Sequence, residues 1–187
     1  METVFLTGIS GLLGTNVAIK LLDENYYVKA IVRDKAKYRG VQHENLQLIQ
    51  ASLFDDLSDH LKCCDYVIHA AAETRQNLIK YSDYWKVNYN ATVQLFNMAV
   101  KYKMKKFVFT STANTMGNGS LEHPGNEESP VKFPFLKSYY AKSKIEAEDY
   151  LISHKDKIDV AIINPTFMLG EYDNKPSSGK IILMALD

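Results

Sequence analysis

Tyr140 and Lys144 stand four residues apart within residues 138–153, a stretch with the pattern of a helix. Side chains at positions i and i+4 are neighbours on one helix face. The pKa of a free tyrosine is about 10, and an adjacent ammonium group favours the phenolate and lowers that pKa. The pair is therefore predicted to be a general acid/base. Tyr102 and Lys106 have the same spacing, but they straddle the start of an apolar run and should not share a helix face.

Three glycines follow the first apolar run, residues 4–6, in the spacing G-x-x-G-x-x-G. Gly8 would allow a tight turn, Gly11 would let backbone N–H groups approach a pyrophosphate, and Gly14 would let a strand and a helix pack closely. The N-terminus of that helix offers unpaired donors and a partial positive charge to an anion. A glycine-rich turn without a ligand is the alternative. The residues predicted to line a dinucleotide site are Thr7, Gly8, Ser10, Gly11, Leu12, Leu13 and Gly14.

Arg33 follows the second apolar run, about twenty residues after the glycines, where dinucleotide-binding folds recognise the adenosine ribose. An arginine there accommodates a 2′-phosphate, whereas an acidic residue bonds a 2′-hydroxyl. Arg33 therefore favours NADP(H) as the cofactor. NAD(H) is the alternative, because a shift of one residue would place the Asp34 carboxylate in the pocket. A solvated basic loop with Lys35, Lys37 and Arg39 is a further alternative.

Small and hydroxyl-bearing residues follow two further apolar runs at their carboxyl ends. Open α/β sheets bind ligands at that edge, and small side chains leave room for a cofactor. His69 is expected to be structural, because a single histidine beside a buried strand is more often packed or hydrogen-bonded than catalytic. The hydroxyls of residues 110–112 could instead cap a turn. The candidates at this edge are His69, Ala70, Ala71, Ala72, Thr110, Ser111 and Thr112.

Short apolar runs alternate with helical patterns along the whole chain. This alternation predicts an α/β fold with a doubly wound parallel sheet of the Rossmann type, because continuously apolar strands are typical of sheets buried on both faces. A long loop over residues 114–135 is predicted to be functional. The strands are predicted over residues 4–6, 28–32, 46–49, 66–68, 107–109 and 160–163, and the helices over residues 11–23, 55–61, 83–101 and 138–153.

Composition excludes several classes of protein. The formal net charge of zero gives no electrostatic basis for a nucleic-acid or membrane partner. Cys63 and Cys64 are adjacent, which excludes a disulfide framework and favours reduced thiols in the cytoplasm. The five histidines lack metal-ligand spacing, so no metal site is expected. A length of 187 residues with 46% apolar content indicates one domain.

These motifs together resemble the extended branch of the short-chain dehydrogenase/reductase superfamily, the NAD-dependent epimerase/dehydratase type. Arg33 and Asp34 make the chain more similar to dihydroflavonol 4-reductase-like proteins than to nucleotide-sugar epimerases, which generally keep an acidic residue at that place. The matching segments are residues 7–14 (T-G-x-x-G-x-x-G), 65–71 (D-x-V-x-H-x-A), 87–92 (V-N-x-x-[GA]-T), 107–112 (similar to V-F-T-S-S), 140–144 (Y-x-x-S-K) and 164–170 (N-P-x-x-x-x-G).

The resemblance implies a catalytic trio. In it Thr112 orients the substrate oxygen, Tyr140 is the acid/base, and Lys144 lowers the pKa of Tyr140 and binds the nicotinamide ribose. Ser52 and Leu53 stand where the family often has an Asp-Leu pair that contacts adenine, so the serine is a departure from the family pattern. The further residues implied at or near the cofactor are Asn88, Asn164, Pro165 and Thr166.

The predicted function is therefore that of an NADP-dependent oxidoreductase, which moves a hydride between nicotinamide and a carbonyl or alcohol substrate. One alternative is an NAD-dependent nucleotide-sugar epimerase or dehydratase that uses the same tyrosine. A second alternative, outside the enzymes, is an NAD(P)-sensing or scaffold protein in which the fold persists without turnover.

The extended branch also implies features beyond the cofactor domain. Its members are longer than 187 residues, so a substrate-binding region is expected beyond the helix predicted over residues 181–186, with a deliberately short protein as the alternative. The 160–163 strand is expected at a sheet edge. A homodimer is expected through the two long helices. The side chains proposed for that contact are Phe96, Val100, Ile145 and Ile152.

Overall fold

Six parallel strands form one sheet in the computed structural model, which describes residues 1–75, 77–173, 179, 184 and 185. The strand order is β3-β2-β1-β4-β5-β6, which is the order of the Rossmann fold and confirms the predicted architecture. The strands are β1 (Thr3–Thr7), β2 (Tyr27–Val32), β3 (Leu46–Gln50), β4 (Tyr66–His69), β5 (Lys106–Thr110) and β6 (Asp159–Ile163).

Helices cover both faces of this sheet, as the apolar strands require. Phe5 of β1 packs into a cluster with residues of the two long helices, whereas the next residue, Leu6, packs into a second cluster with the first helix. Successive side chains of a strand point to opposite faces, so this division is what a doubly wound sheet produces. The helices are α1 (Leu12–Asp23), α2 (Ser58–Leu61), α3 (Tyr81–Tyr84), α4 (Ala91–Lys101) and α5 (Tyr139–Ser153).

The strand order reverses between β1 and β4, which are hydrogen-bonded neighbours. Chain connections leave in opposite directions at this point, and a crevice opens beyond the carboxyl ends of the strands. Thr7 at the end of β1 pairs with His69 at the end of β4. The glycine turn and the small residues after His69 are therefore brought to the two sides of that crevice.

A π-helical turn, Trp85–Asn90, interrupts the long helix predicted over residues 83–101. It joins α3 to α4 in one continuous helical stretch. That stretch begins at Tyr81, two residues before the predicted start at residue 83. Periodicity near 3.6 residues does not distinguish one widened turn from its α-helical neighbours, which is why the sequence did not reveal it. Such turns are frequent at functional sites.

Phe96 is wrongly placed among the predicted dimer contacts. Its side chain is fully buried in the core, where it packs on Phe107 with ring centroids 5.5 Å apart. Ile152 is 53% exposed, and Val100 and Ile145 are half-buried. These three side chains are accessible enough for a contact between two copies, and the homodimer stays a prediction. The predicted 181–186 helix falls outside the described residues, apart from two isolated positions.

β3 and β6 form the two edges of the sheet in the part of the chain that the structure describes. This agrees with the expectation that residues 160–163 would lie at an edge, and Ile163 is 42% exposed there. Within the described ranges, none of the helices has the length and apolar character that crossing a membrane requires.

Candidate active site

Two of the three glycines are required by contacts within the protein backbone. Gly8 has a φ of +81°, and a Cβ added to it would lie 2.6 Å from the backbone nitrogen of Ala71. A Cβ on Gly14 would lie 2.1 Å from the carbonyl oxygen of Gly8. Both distances are far below van der Waals contact. Gly8 therefore permits the tight turn, and Gly14 permits the close packing of α1 on that turn, as predicted.

Gly11 is different, because no contact among the residues that the structure describes requires it to be glycine. It is exposed, and the nearest atom to an added Cβ is the Gly8 carbonyl oxygen at 3.5 Å, an ordinary contact. Gly11 is also the N-cap of α1, which has neither a side-chain cap nor an acidic residue in its first turn. The first N–H groups of the helix, on Leu12, Leu13 and Gly14, have no intrahelical acceptors. This cradle fits the pyrophosphate of a dinucleotide.

His69 is a buried structural residue in a hydrogen-bonded chain. Its Nδ1 lies 2.6 Å from the Thr7 hydroxyl and its Nε2 lies 3.0 Å from the Thr92 hydroxyl. The Thr92 hydroxyl donates to the Asn88 carbonyl, and Thr7 Oγ1 accepts from the Ala71 N–H. These directions require an Nε2–H tautomer. Burial lowers the pKa of His69 to about 3, so the ring is neutral. The side chains of Thr7 and His69 are thus occupied within the protein.

Arg33 lines a cavity of about 260 Å³ beyond the ends of β2 and β3, together with Gln50, Ala51, Ser52 and Asp55. The Asp34 carboxylate accepts from the Ala36 N–H at 3.0 Å and so caps the following turn. Of the two neighbouring residues, Arg33 therefore lies in the cavity wall and Asp34 does not. Among the cavity residues, Asp55 accepts from the Ser52 N–H at 2.8 Å. Leu53, in contrast, packs against the core.

Tyr140 and Thr112 meet where β5 and α5 approach each other. Burial raises the pKa of Tyr140, and a hydrogen bond with the Thr112 side chain acts in the opposite direction. The Thr112 hydroxyl oxygen also accepts from the Asn114 N–H at 3.3 Å, which leaves its proton for Tyr140. Ser138 caps α5 by accepting from the Ala141 N–H, so the helix begins at Tyr139 and holds Tyr140 in its first turn.

Lys144 is one turn further along α5, and its ammonium group points to the sheet. Its Nζ donates to the Thr110 carbonyl at 2.7 Å and lies 4.3 Å from the centroid of the Phe109 ring. Burial lowers the pKa of Lys144 to about 7. The predicted lowering of the Tyr140 pKa by Lys144 is not found. The contact that lowers the pKa of Tyr140 is with the Thr112 side chain, and burial raises this pKa by more.

Two hydroxyls at the end of β5 are buried without a hydrogen-bond partner in the described part of the chain. They are Thr110 Oγ1 and Ser111 Oγ, on residues that are 8% and 3% exposed. A buried hydroxyl without a partner costs about 1–3 kcal/mol. The hydroxyl and phosphate groups of a dinucleotide would satisfy both, so these residues also fit a nicotinamide cofactor.

Asn88 connects the segment after β4 to α5. It is fully buried in the π-helical turn, and its amide accepts from the Glu73 N–H at 2.8 Å and donates to the Glu73 carbonyl at 3.1 Å. It also donates to the Ser143 hydroxyl at 3.0 Å, which in turn donates to the Tyr140 carbonyl. Asn88 therefore lies near the site, and its side chain positions α5.

Asn164 belongs to a polar cluster that the sequence did not predict. Its amide donates to Glu148 at 2.8 Å and to the Thr115 hydroxyl at 2.9 Å, so the side chain is engaged within the protein. The Pro165 carbonyl accepts from the Ala113 N–H at 3.0 Å, and Thr166 is exposed. Glu148 has one signal in the sequence, which is its spacing of four residues from Lys144 on one helix face.

A cavity of about 530 Å³ adjoins the Tyr140 side chain. The 114–135 loop provides part of its wall, and the functional role of this loop stays a prediction. Most of the lining is aromatic or aliphatic, with one lysine. The lining residues are Leu78, Tyr84, Asn114, Phe133, Pro134, Phe135, Lys137, Ser138, Tyr139 and Tyr140.

Lys144 should make the stability of the protein depend on pH. Between its folded pKa of about 7 and its ordinary value of 10.5, the unfolded chain binds a proton that the folded chain does not. The free energy of unfolding should therefore rise with pH above about 7, by at most about 1.4 kcal/mol per pH unit. Urea unfolding between about pH 6 and 9 measures this slope. Lys144→Met should remove its contribution, whereas Lys142→Met, on the exposed face, should not. Equal slopes in all three proteins would contradict the assignment.

Residues 4–187 match the sequence profile described as the NAD dependent epimerase/dehydratase family. A decarboxylating sterol-4-alpha-carboxylate 3-dehydrogenase from Dictyostelium discoideum is 29% identical, over 93% of this chain and 56% of that protein. A putative dihydroflavonol 4-reductase from Synechocystis is also 29% identical, over 99% of this chain and 55% of that protein. Among solved structures, the UDP-N-acetylglucosamine 4-epimerase of Methanobrevibacter ruminantium has a TM-score of 0.75 and 27% identity, over 87% of this chain and 54% of that one.

The chain thus spans about half the length of the curated relatives it matches. Those relatives include reductases and nucleotide-sugar epimerases of the extended short-chain dehydrogenase/reductase type. The family profile covers nearly every residue, from the first strand onward. The sheet order, the glycine turn and the tyrosine–lysine helix all agree with that match. The chain therefore belongs to the NAD-dependent epimerase/dehydratase family.

Proposed function

We propose that the protein is an NADP-dependent oxidoreductase that reduces a carbonyl substrate or oxidises the corresponding alcohol. The observation that carries the proposal is the position of Tyr140, beside the Thr112 side chain and in the wall of a cavity lined mainly by aromatic and aliphatic residues. The glycine cradle and the buried hydroxyls of Thr110 and Ser111 lie at the same edge of the sheet. This edge would hold the dinucleotide, and the cavity would hold a small-molecule substrate.

When bound, the nicotinamide supplies or accepts the hydride. Tyr140 keeps its phenolic proton at neutral pH because burial raises its pKa, so it can donate that proton to a substrate oxygen. The Thr112 hydroxyl has one proton, which can hold the substrate oxygen before the transfer and stabilise the phenolate after it. In the oxidative direction Tyr140 takes the proton back. Lys144, fixed on the Thr110 carbonyl, contributes positive charge below its pKa of about 7.

An NAD-dependent epimerase or dehydratase is the second candidate, because the relatives include nucleotide-sugar epimerases. One assay separates the two functions. A reductase consumes NADPH in step with an added ketone, and the absorbance at the nicotinamide band falls. An epimerase interconverts a UDP-sugar without net consumption of the cofactor. A sensing or scaffold protein would do neither, and Tyr140→Phe would then leave its cofactor binding and its biological activity intact.

Arg33 is expected to make NADPH bind more tightly than NADH. A charge-assisted hydrogen bond to a phosphate contributes about 1.5–3 kcal/mol, which corresponds to roughly 10- to 150-fold in affinity. The Asp55 carboxylate in the same cavity would reduce this preference, and so would the Glu73 carboxylate, whose pKa is lowered mainly by its hydrogen bond with Arg75 and to a smaller extent by Arg33. Fluorescence titration of the nicotinamide measures both affinities.

Arg33→Ala should remove most of this difference and leave NADH binding nearly unchanged. Lys35→Ala is the matched control, since Lys35 is an exposed basic residue outside the cavity wall. Equal affinities of the unmutated protein for NADPH and NADH would refute the assignment of Arg33 to the 2′-phosphate.

A further inference from the structure

Glu148 occupies a place in the site that the reaction described above does not use. It lies on α5 one turn after Lys144 and two turns after Tyr140, and it is half-buried. Its Oε1 accepts from the Thr115 hydroxyl at 2.8 Å and from the Asn164 amide at 2.8 Å. One carboxylate oxygen thus joins α5 to the loop after β5 and to the turn after β6.

The same donors reach the backbone of Thr112. The Thr115 hydroxyl lies 2.8 Å from the Thr112 carbonyl, and the Asn164 amide nitrogen lies 3.3 Å from it. Thr115 supplies one proton and the Asn164 amide supplies two, and the acceptors within reach are Glu148, the Thr112 carbonyl and the Thr115 hydroxyl oxygen itself. Removing the carboxylate would take away the acceptor that ties these donors to α5, and this would loosen the loop that carries the Thr112 hydroxyl.

Glu148 also acts on Lys144 through its charge. Lys144 is 1% exposed and has a carbonyl and an aromatic ring as its direct partners. Among the described ionisable side chains, His69 from β4, which burial keeps neutral, and Glu148 from α5 itself interact with Lys144. Burial disfavours the ammonium form, and the carboxylate of Glu148 favours it.

We propose that Glu148 is a positioning residue of the reaction centre, whose carboxylate fixes the Thr112 loop through Thr115 and Asn164 and favours the ammonium form of Lys144 one turn earlier on α5. The catalytic meaning of this role rests on the proposed function. The arrangement itself does not, because both effects can be measured in the protein without substrate.

The test is an NMR titration of the full chain labelled with ¹³C at the lysine ε-carbons and the tyrosine ζ-carbons. Lys144→Met and Tyr140→Phe assign the two resonances. Glu148→Gln keeps an oxygen acceptor at nearly the same place but removes the charge, so the Lys144 midpoint should fall by about one pH unit. Thr115→Val removes the bridging hydroxyl and keeps the charge. It should leave the Lys144 midpoint unchanged and raise that of Tyr140, because Thr112 is less firmly held.

If thermal denaturation shows that Glu148→Gln does not fold, Glu148→Asp is used in its place. Its shorter carboxylate keeps the charge but withdraws from Thr115 and Asn164, so it should behave like Thr115→Val. A Lys144 midpoint that is unchanged in Glu148→Gln would overturn the electrostatic role. A Tyr140 midpoint that is unchanged in both Thr115→Val and Glu148→Asp would overturn the positioning role. Neither result would decide whether the protein reduces carbonyls, so the two proposals fail separately.

Discussion

Tyr140→Phe is expected to lower kcat of the enzyme by about 100- to 10,000-fold. The hydroxyl that is removed is the proton donor, and the phenyl ring keeps the packing of the first turn of α5. Cofactor affinity should remain nearly unchanged, since the hydroxyl matters mainly in the transition state. Steady-state kinetics with a confirmed substrate, together with a separate cofactor titration, measure the two effects.

Tyr139→Phe is the matched control for that experiment. Tyr139 is the adjacent residue, it lines the same cavity, and it is 46% exposed. Removal of its hydroxyl should change kcat by less than about threefold, because no proton transfer depends on it. A Tyr140→Phe variant with near-normal kcat would show that Tyr140 is not the acid/base.

Gly14→Ala and Gly11→Ala should fail in different ways. The new methyl group of Gly14→Ala would meet the Gly8 carbonyl oxygen at 2.1 Å, so the free energy of unfolding should fall by about 3 kcal/mol or more. The methyl group of Gly11→Ala meets nothing closer than 3.5 Å, so stability should change by less than about 1 kcal/mol. It would, however, occupy the space over the first turn of α1, and cofactor affinity should fall by about 10-fold or more.

Thermal denaturation and nicotinamide fluorescence separate these two outcomes. Gly11→Ala should melt near the temperature of the unmutated protein, yet bind the cofactor poorly. If Gly11→Ala bound the cofactor normally, the cradle over α1 would not be the pyrophosphate site. If Gly14→Ala were as stable as the unmutated protein, the close approach of α1 to the glycine turn would not be a structural requirement.

Local patterns were sufficient to predict the sheet and the glycine turn. Phe5 and Leu6 belong to one continuous apolar run, and such runs indicate strands buried on both faces. The separate roles of Gly8, Gly11 and Gly14 follow from spacing, because a strand, a turn and a helix must meet within eight residues. The roles of Gly8 and Gly14 agree with the contacts that a Cβ would make there, whereas the role of Gly11 stays a prediction.

The directions of side chains could not be predicted in the same way. The i, i+4 spacing places Lys144 beside Tyr140 on α5. Its ammonium group, however, points to the Thr110 carbonyl at the end of β5. That choice depends on burial and on a strand distant in the sequence. Glu148 and Asn164 are 16 residues apart and meet only because β6 pairs with β5. Long-range contacts of this kind leave no local pattern.

The measurement that tests the site most directly is an amide ¹⁵N NMR titration of the chain with NADPH. The account predicts that the N–H resonances of Leu12, Leu13 and Gly14 shift together and saturate at one dissociation constant, because those donors face the pyrophosphate. The resonance of Arg33 should shift with NADPH and less with NADH. Saturable binding that leaves the three helix N-terminal amides unmoved, or no binding at all, would contradict the assignment of this sheet edge to the cofactor.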